Sequence, residues 1–248
     1  MTSMVLELKN LSKRFGGLQA IDRVNLTFKP GELRCLIGPN GAGKTTLFNL
    51  ITGRIKPDEG QVIFEGKDIT HLKPYEISRV GVARKFQVPT VFDELTILEN
   101  LGIAAWGQQR MGSVIFSSWN EKSVLDQVKE IMELVHLSGQ DHELAGTLSH
   151  GEKQWLEIGM VLAYRPKLML LDEPTAGMSP HETIETSHII RTISQNITTV
   201  VIEHDIKFLK EIAEHVTVLH RGAVIGDGTF EEIEGIDLVR DVYLGRRG

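Results

Sequence analysis

The sequence lacks several features that mark large classes of protein. Cys35 is the only cysteine among 248 residues, so an internal disulfide is impossible, and its place in an apolar run predicts a buried core thiol. No window holds about 18 consecutive apolar residues, so we expect no membrane-spanning helix. The first residues have no basic segment followed by an apolar stretch, so we expect no signal peptide. Together these absences predict a protein of the reducing cytoplasm.

A broad basic surface is also missing. Lysine and arginine number 27 against 33 aspartate and glutamate residues, and the formal net charge is -6. Proteins that bind nucleic acids usually neutralise phosphates with an excess of basic residues, so we expect no nucleic-acid partner. The chain also shows no internal repeat of roughly 20 to 50 residues and no low-complexity linker, which excludes solenoids and linked arrays.

What is present is the composition of an ordinary globular protein. Apolar residues make up 41% of the chain and charged residues 24%, so neither a disordered nor a fibrous protein is expected. A chain of this length can bury a full core. It suits one α/β domain with a small appended subdomain better than two equal domains.

Hydrophobic patterning predicts an α/β fold. Short alternating apolar runs near the start predict antiparallel strands, and two further strands are expected near residues 216–219 and 223–225. Continuous apolar runs at 168–171 and 198–202 predict buried strands. The helix-like stretch 181–194 between them indicates a βαβ unit with parallel strands.

A helical segment interrupts this core. The strand signals fade after about residue 89, and apolar residues recur at helical spacing within 124–135. We therefore predict a single domain in which residues 1–88 and 165–248 form the α/β core with its β subdomain. Residues 89–164 are predicted to form a helical subdomain.

The segment GPNGAGKTT contains a motif for binding phosphate. Gly38, Gly43, Lys44 and Thr45 have P-loop spacing: the glycines expose backbone N–H groups to phosphate, the lysine neutralises it, and the hydroxyl can bind Mg²⁺. A chance match is expected in about one of a hundred chains of this length. Here the apolar run at 33–37 predicts a strand before the loop and the pattern after it predicts a helix, which is the context that the motif requires.

Two acidic residues follow the apolar run 168–171. In isolation, Asp172 and Glu173 could form a helix entry or a solvated turn. Open α/β sheets bind ligands at the carboxyl ends of their strands, and a P-loop upstream favours a functional interpretation. We therefore assign Asp172 to Mg²⁺ and Glu173 to the attacking water, as the general base.

The segment TLSHGEKQWLEIGM predicts the start of another helix. Ser149 and Glu152 have the spacing of a capping box, in which each side chain binds the other residue's backbone N–H. The segment could be only a good helix cap. Alternatively, the exposed N–H groups at the start of this helix could bind a second anion.

Taken together, these motifs resemble the ABC ATPase family. GPNGAGKTT, Gln87, LSHGE, LMLLDEP and His204 occur in the family's order and cover nearly the whole chain. The resemblance implies a P-loop NTPase core and two subunits stacked head to tail. Each ATP then lies between the P-loop of one subunit and the signature motif, here LSHGE, of the other, so that Ser149 and Gly151 act in trans.

The resemblance assigns roles to individual residues. It implies that Phe15 stacks on adenine, that Gln87 senses Mg²⁺ and the membrane partner, and that His204 contacts the γ-phosphate. The catalytic set is Lys44, Gln87, Glu173 and His204, and the metal set is Thr45, Gln87 and Asp172. The nucleotide-binding set is Phe15, Gly38, Asn40, Gly41, Ala42, Gly43, Lys44, Thr45, Thr46, Ser149 and Gly151.

The sequence departs from the family pattern in two places. LSHGE replaces the usual LSGGQ, and Ser179 stands where the loop after DEP more often carries aspartate. The second departure puts coupling across the dimer interface in doubt. We expect the side chain of His150 to face solvent and assign it no catalytic role.

A narrower resemblance concerns the cargo and partners. RKFQVPTVFDELTILENL and LSHGEKQWLEIGM resemble the ATPases of urea or short-chain-amide importers, which are close to those of branched-chain amino-acid importers. This implies a second ATPase subunit, permease subunits contacted through the region from Gln87 to Asn100, an indirect substrate-binding protein, and a place on the inner face of the cell membrane. The alternatives are a soluble ABC ATPase for cofactor assembly or DNA maintenance, and a nucleotide-dependent regulatory module.

Overall fold

The computed structural model of the protein describes residues 4–85, 91–107 and 121–239. Gln87 lies outside these residues. Within them, no helix combines the length and the apolar character that a membrane crossing requires.

An antiparallel sheet of four strands opens the chain, as the alternating pattern predicts. Its order is β2-β1-β4-β5. The strands are β1 (Leu6–Phe15), β2 (Leu18–Phe28), β4 (Glu59–Phe64) and β5 (Lys67–Asp68). Leu6, Leu8, Leu26 and Phe28 point to the buried face, because side chains alternate between the two faces of a strand.

A second sheet of six strands forms the centre of the molecule. Its order is β10-β9-β3-β8-β7-β6, and β3 pairs in parallel with both β8 and β9. The strands are β3 (Leu33–Ile37), β6 (Val82–Lys85), β7 (Leu168–Asp172), β8 (Thr198–Ile202), β9 (His215–His220) and β10 (Ala223–Gly228). The predicted βαβ unit is confirmed, because β7 and β8 are parallel neighbours.

The helices predicted after the phosphate loop, within 124–135, after Ser149 and at 181–194 are all present. The helices of the described residues are α1 (Lys44–Ile51), α2 (Pro74–Val80), α3 (Ile97–Gly107), α4 (Glu121–Leu134), α5 (His150–Ala163), α6 (Pro180–Ser194), α7 (Ile206–Ile212), α8 (Phe230–Glu234) and α9 (Asp237–Val239). Helices α3, α4 and α5 contact one another. The helical pattern at 124–135 is thus confirmed over α4. The treatment of 89–164 as a separate subdomain stays a prediction.

Two hydrophobic cores lie on opposite sides of the six-stranded sheet. In β3, Leu33, Cys35 and Ile37 pack into one core, whereas Leu36 packs into the other. Burial on both faces explains why β3, β7 and β8 are mostly apolar and do not alternate with exposed polar residues. Arg34, the one charged residue within β3, is buried and paired with Glu32. Cys35 is a core thiol as predicted: its burial, and secondarily the charge of Glu203, raise its pKa far above the usual range.

The contact between α5 and α6 provides a test of this packing. Trp155 Nε1 donates a 2.9 Å hydrogen bond to Thr186 Oγ1, and both residues are buried. We expect Trp155→Phe to lose this bond and some packing, about 2 kcal/mol, and to lower the melting temperature by about 4–8 °C. Tyr75→Phe, which changes an exposed ring, is the control. Equal melting temperatures for the two variants would contradict the expectation.

Candidate functional site

The loop between β3 and α1 follows a path that requires glycine. Gly38 and Gly43 have φ angles of 151° and 110°. A Cβ atom on Gly38 would lie 2.2 Å from the carbonyl oxygen of Leu219, and one on Gly43 would lie 2.6 Å from that of Ala20. Gly41 has a φ of 77° and faces open space. The loop therefore packs tightly on its inner side and leaves backbone free to approach a ligand on its outer side.

Lys44 closes this loop from within. Its Nζ donates hydrogen bonds to the carbonyl oxygens of Gly38, at 2.6 Å, and Pro39, at 3.1 Å. Burial lowers the pKa of Lys44, and the negative charges of Glu173 and Asp172 oppose this shift. The cation and both predicted carboxylates thus interact at one place. An incoming phosphate could exchange with the two carbonyls as the partner of Nζ.

Asp172 ends β7 and is almost fully buried. Its Oδ2 accepts a 2.7 Å hydrogen bond from Arg84, which also donates to Asn49 Oδ1 on α1 at 2.7 Å. Among the described residues, Asp172 Oδ1 is buried and finds no hydrogen-bond partner. A buried carboxylate oxygen of this kind is a suitable ligand for a hard cation. No group of three or more histidine, cysteine, aspartate or glutamate side chains in the described ranges forms a metal site by itself.

Glu173 and His204 lie together at the ends of neighbouring strands. Glu173 has a φ of 49° and its backbone N–H donates to the carbonyl of Ile202, the last residue of β8. Its Oε1 lies 3.8 Å from His204 Nδ1. Both side chains are partly exposed, so they lie at the surface rather than in the core. The parallel order of β7 and β8 therefore brings these two predicted residues together.

Sequence reasoning missed two buried charged residues at this site. Glu203 Oε1 accepts hydrogen bonds from the backbone N–H and hydroxyl of Thr175, and its Oε2 accepts one from the N–H of His204 at 3.0 Å. It thereby connects the loop after Glu173 to His204. Arg84 holds Asp172, as described above. In the sequence, Glu203 and Arg84 are each only a charged residue near the end of a predicted strand. That pattern is too common to be interpreted alone.

Phe15 is an exposed aromatic residue rather than a core one. Its side chain is 48% exposed at the end of β1, and Lys13 Nζ lies 5.6 Å from its ring centroid. The neighbouring strand β2 contributes Ala20, which contacts Gly43 of the loop. An exposed ring on this sheet could stack on a planar ligand.

Ser149 begins α5 with the predicted capping box. Its Oγ accepts from the N–H of Glu152 at 3.2 Å, and Glu152 Oε2 accepts from the N–H of Ser149 at 2.8 Å. Gly151 is also constrained, because a Cβ atom there would lie 2.1 Å from Glu182 Oε1. These contacts of Ser149 and Gly151 go to α5 and α6 rather than to the phosphate loop. The two candidate anion sites are therefore separate places on the chain.

His150 corrects one expectation. Its side chain is exposed, but it does not simply face solvent, because Nε2 lies 2.9 Å from the carbonyl oxygen of Ala176. Ser179 caps α6 with a second capping box, in which Glu182 Oε2 accepts from the N–H of Ser179 at 2.7 Å. Hydrogen bonds from Ser179, with smaller contributions from His150 and Gly151, lower the pKa of Glu182. The loop after Glu173 is thus attached to the start of α5.

Known proteins share this arrangement. The family model "ABC transporter" matches residues 21–176. The high-affinity branched-chain amino acid transport ATP-binding protein BraF of Pseudomonas aeruginosa is 37% identical, over 99% of this chain and 99% of its own. The crystal structure of the ADP conformation of an ABC transporter's ATP-binding cassette has a TM-score of 0.84 at 35% identity, covering 98% of this chain and 99% of that one.

A dimeric bacterial ABC transporter cassette has a TM-score of 0.78 at 25% identity, covering 90% of this chain and 98% of that one. The phosphate loop, the acidic strand end and the capped helix α5 are the elements that the sequence resemblance named. The match over residues 21–176 and the similarity to BraF over nearly the full length show that the chain belongs to the ATP-binding subunits of ABC transporters.

Proposed function

We propose that this ATPase powers the import of a small organic solute, with branched-chain amino acids or urea and short-chain amides as the candidate cargo. The observation that supports ATP hydrolysis is that Lys44, Asp172, Glu173 and His204 come together beside one glycine loop. The name of BraF favours branched-chain amino acids as cargo. The segments around 84–101 and 147–160 resemble the ATPases of urea or short-chain-amide importers, which favours amides as cargo.

In this proposal the protein positions charge around the γ-phosphate. Lys44 and the backbone N–H groups of Gly38 and of residues 40–46 bind the phosphoryl oxygens, where negative charge is stabilised during transfer. Glu173 orients the attacking water and accepts its proton. His204, held by Glu203 through its backbone, contacts the γ-phosphate.

Asp172 and Thr45 would hold Mg²⁺, with Gln87 as a further ligand. The unpartnered Oδ1 of Asp172 supports this assignment. When bound, the ion neutralises charge on the β- and γ-phosphates. The nucleotide and water would supply the remaining ligands of the ion.

The second half of each site comes from another ATPase subunit. Ser149 is exposed at the start of α5 and Gly151 is buried in its first turn beside Glu182, and their contacts do not reach the phosphate loop of their own chain. The N-terminus of this 14-residue helix is suited to a phosphate. A dimer in which α5 of one subunit faces the loop of the other completes both sites, and the dimeric cassette relative supports this arrangement.

A groove on the surface is suited to a permease subunit. It has a volume of about 450 Å³ and runs between α2, β6, α3 and α5. Its lining is mostly apolar and includes Phe92, Ile103, Ala104, Met160 and Val161. One lining residue, Phe92, belongs to the region 87–100, where the resemblance places the membrane partner. We therefore place the subunit on the inner face of the cell membrane, with the substrate-binding protein as an indirect partner.

Lys44→Ala tests the phosphate loop. Loss of one charge-assisted contact is expected to weaken ATP binding about 10- to 100-fold. Binding of a fluorescent ATP analogue to the purified protein measures this directly. Lys67→Ala, on the exposed strand β5, is the matched control and should bind normally. An unchanged affinity for Lys44→Ala contradicts the assignment.

Glu173→Gln separates binding from turnover. The amide keeps the shape of the side chain but cannot accept the proton, so turnover should fall about 10²- to 10⁴-fold while ATP binding persists. Dimers should accumulate with ATP, as size-exclusion chromatography with light scattering would detect. Glu211→Gln on α7 is the exposed control. Undiminished phosphate release by Glu173→Gln rules out its role as the base.

Ile103→Glu tests the permease groove. The 40% exposed Ile103 lines it, so a charge there should abolish co-purification with multispanning permeases and leave basal ATP hydrolysis unchanged. Leu238→Glu, at 50% exposure on α9, is the control. Capture of soluble assembly proteins by the unmodified chain, in place of permeases, would favour the soluble ABC ATPase instead.

A further inference from the structure

Two consecutive residues of β6 form buried ion pairs on opposite sides of the sheet. Arg84 lies 2.7 Å from Asp172 Oδ2, and Lys85 Nζ lies 3.0 Å from Glu157 Oε2. All four side chains are 5% exposed or less. Because successive side chains of a strand point to opposite faces, β6 has one charged contact in each layer of the molecule.

The Arg84 side reaches the nucleotide site. Its guanidinium holds Asp172 and donates to Asn49, and it lies 5.3 Å from the ring centroid of Phe48. Asn49 and Phe48 belong to α1, the helix that begins at the phosphate loop. Burial lowers the pKa of Arg84, and the contact with Asp172 opposes that shift. The position of β6 is therefore tied to the predicted metal carboxylate.

The Lys85 side reaches α5. Glu157 lies in the middle of this helix, whose capped start carries Ser149 and Gly151. Helix α5 packs closely on α3 and α4, since a Cβ atom on Gly159 would lie 3.0 Å from Leu101 and 3.1 Å from Ile131. A movement of α5 against β6 therefore involves the whole group of three helices.

An ion pair at this place differs from the apolar contacts around it. Burying two charges has a large desolvation penalty, and apolar residues of similar volume would often stabilise the fold as well or better. Apolar side chains can also slide over one another, whereas a buried ion pair favours one relative position. Lys85 and Glu157 also belong to the wall of the proposed permease groove, although their side chains are 3% exposed or less.

We propose that Lys85 and Glu157 are positioning residues that fix the angle of the signature helix α5 relative to β6, and so couple the two ATP sites of the dimer. Strand β6 responds to the ATP held by this subunit, whereas α5 binds the ATP held by the partner subunit. The inference rests on the proposed function, because only a composite site gives α5 a nucleotide to bind. Breaking the pair should leave ATP binding to one subunit intact and impair ATP-driven pairing.

The test compares three variants made in the full chain with Glu173→Gln. Lys85→Met leaves Glu157 charged and buried, and should lower the melting temperature by about 6–20 °C. Lys85→Met with Glu157→Leu replaces the pair with apolar groups, and should recover most of that loss. Lys85→Glu with Glu157→Lys exchanges the two charges and so keeps an ion pair between β6 and α5. Lys167→Met, which breaks the exposed pair with Glu65, is the control.

Two measurements decide the outcome: binding of a fluorescent ATP analogue at a concentration where the protein is monomeric, and the ATP concentration that gives half-maximal dimer. Each variant should bind the analogue normally. The apolar double variant should need about 5- to 100-fold more ATP to dimerise, despite its recovered melting temperature. The reversed pair should dimerise at nearly the parent concentration.

A purely structural role predicts the opposite result for the apolar double variant. If it dimerises at the parent ATP concentration, the pair supports only folding and the inference is overturned. If the Glu173→Gln parent binds ATP yet never dimerises, the composite site itself is wrong, and the inference fails together with the proposed function. Loss of analogue binding in the reversed pair would also overturn it, because the defect would then lie in the subunit's own site.

Discussion

The close approach of the loop 38–43 to two other backbones is the constraint on which the site depends. A Cβ atom on Gly38 would overlap the carbonyl oxygen of Leu219, and one on Gly43 would overlap that of Ala20. Ala20 belongs to β2 of the antiparallel sheet, and Leu219 to β9 of the central one. The loop is therefore held between both sheets, so its N–H groups are in place before a phosphate arrives, and little ordering is left for binding to require.

Rigid strand ends extend this principle to the residues that follow β7 and β8. The backbone of Glu173 is bonded to the end of β8, and Glu203 fixes both Thr175 and the backbone of His204. These contacts hold the chain on both sides of Glu173, while its carboxylate stays partly exposed. One sheet therefore holds the phosphate loop, Asp172 and Glu173 close to one another.

Much of this fold could be predicted from the sequence, because parallel strands buried on both faces are continuous apolar runs and the phosphate loop has a fixed spacing of glycines. The capping box of Ser149 could also be predicted, since it depends on two residues that are three positions apart. The buried pairs of Arg84 and Lys85 were not, because their partners lie 88 and 72 positions away and pairing depends on strand order. The placement of Gln87 stays a prediction, as it lies outside the described residues.

The departures from the family's usual motifs make physical sense in the structure. Ser179 stands where aspartate is more common, and both residue types accept hydrogen bonds at the start of a helix. Glu152 replaces glutamine at the third position of α5, where either completes the capping box. His150 is different, because glycine in that place would have no side chain to reach the carbonyl of Ala176. This chain thus has a contact between the start of α5 and the loop after Glu173. Together with the Lys85–Glu157 pair, that contact attaches α5 to the catalytic core at both its start and its middle, so the helix is expected to move with the core rather than independently of it.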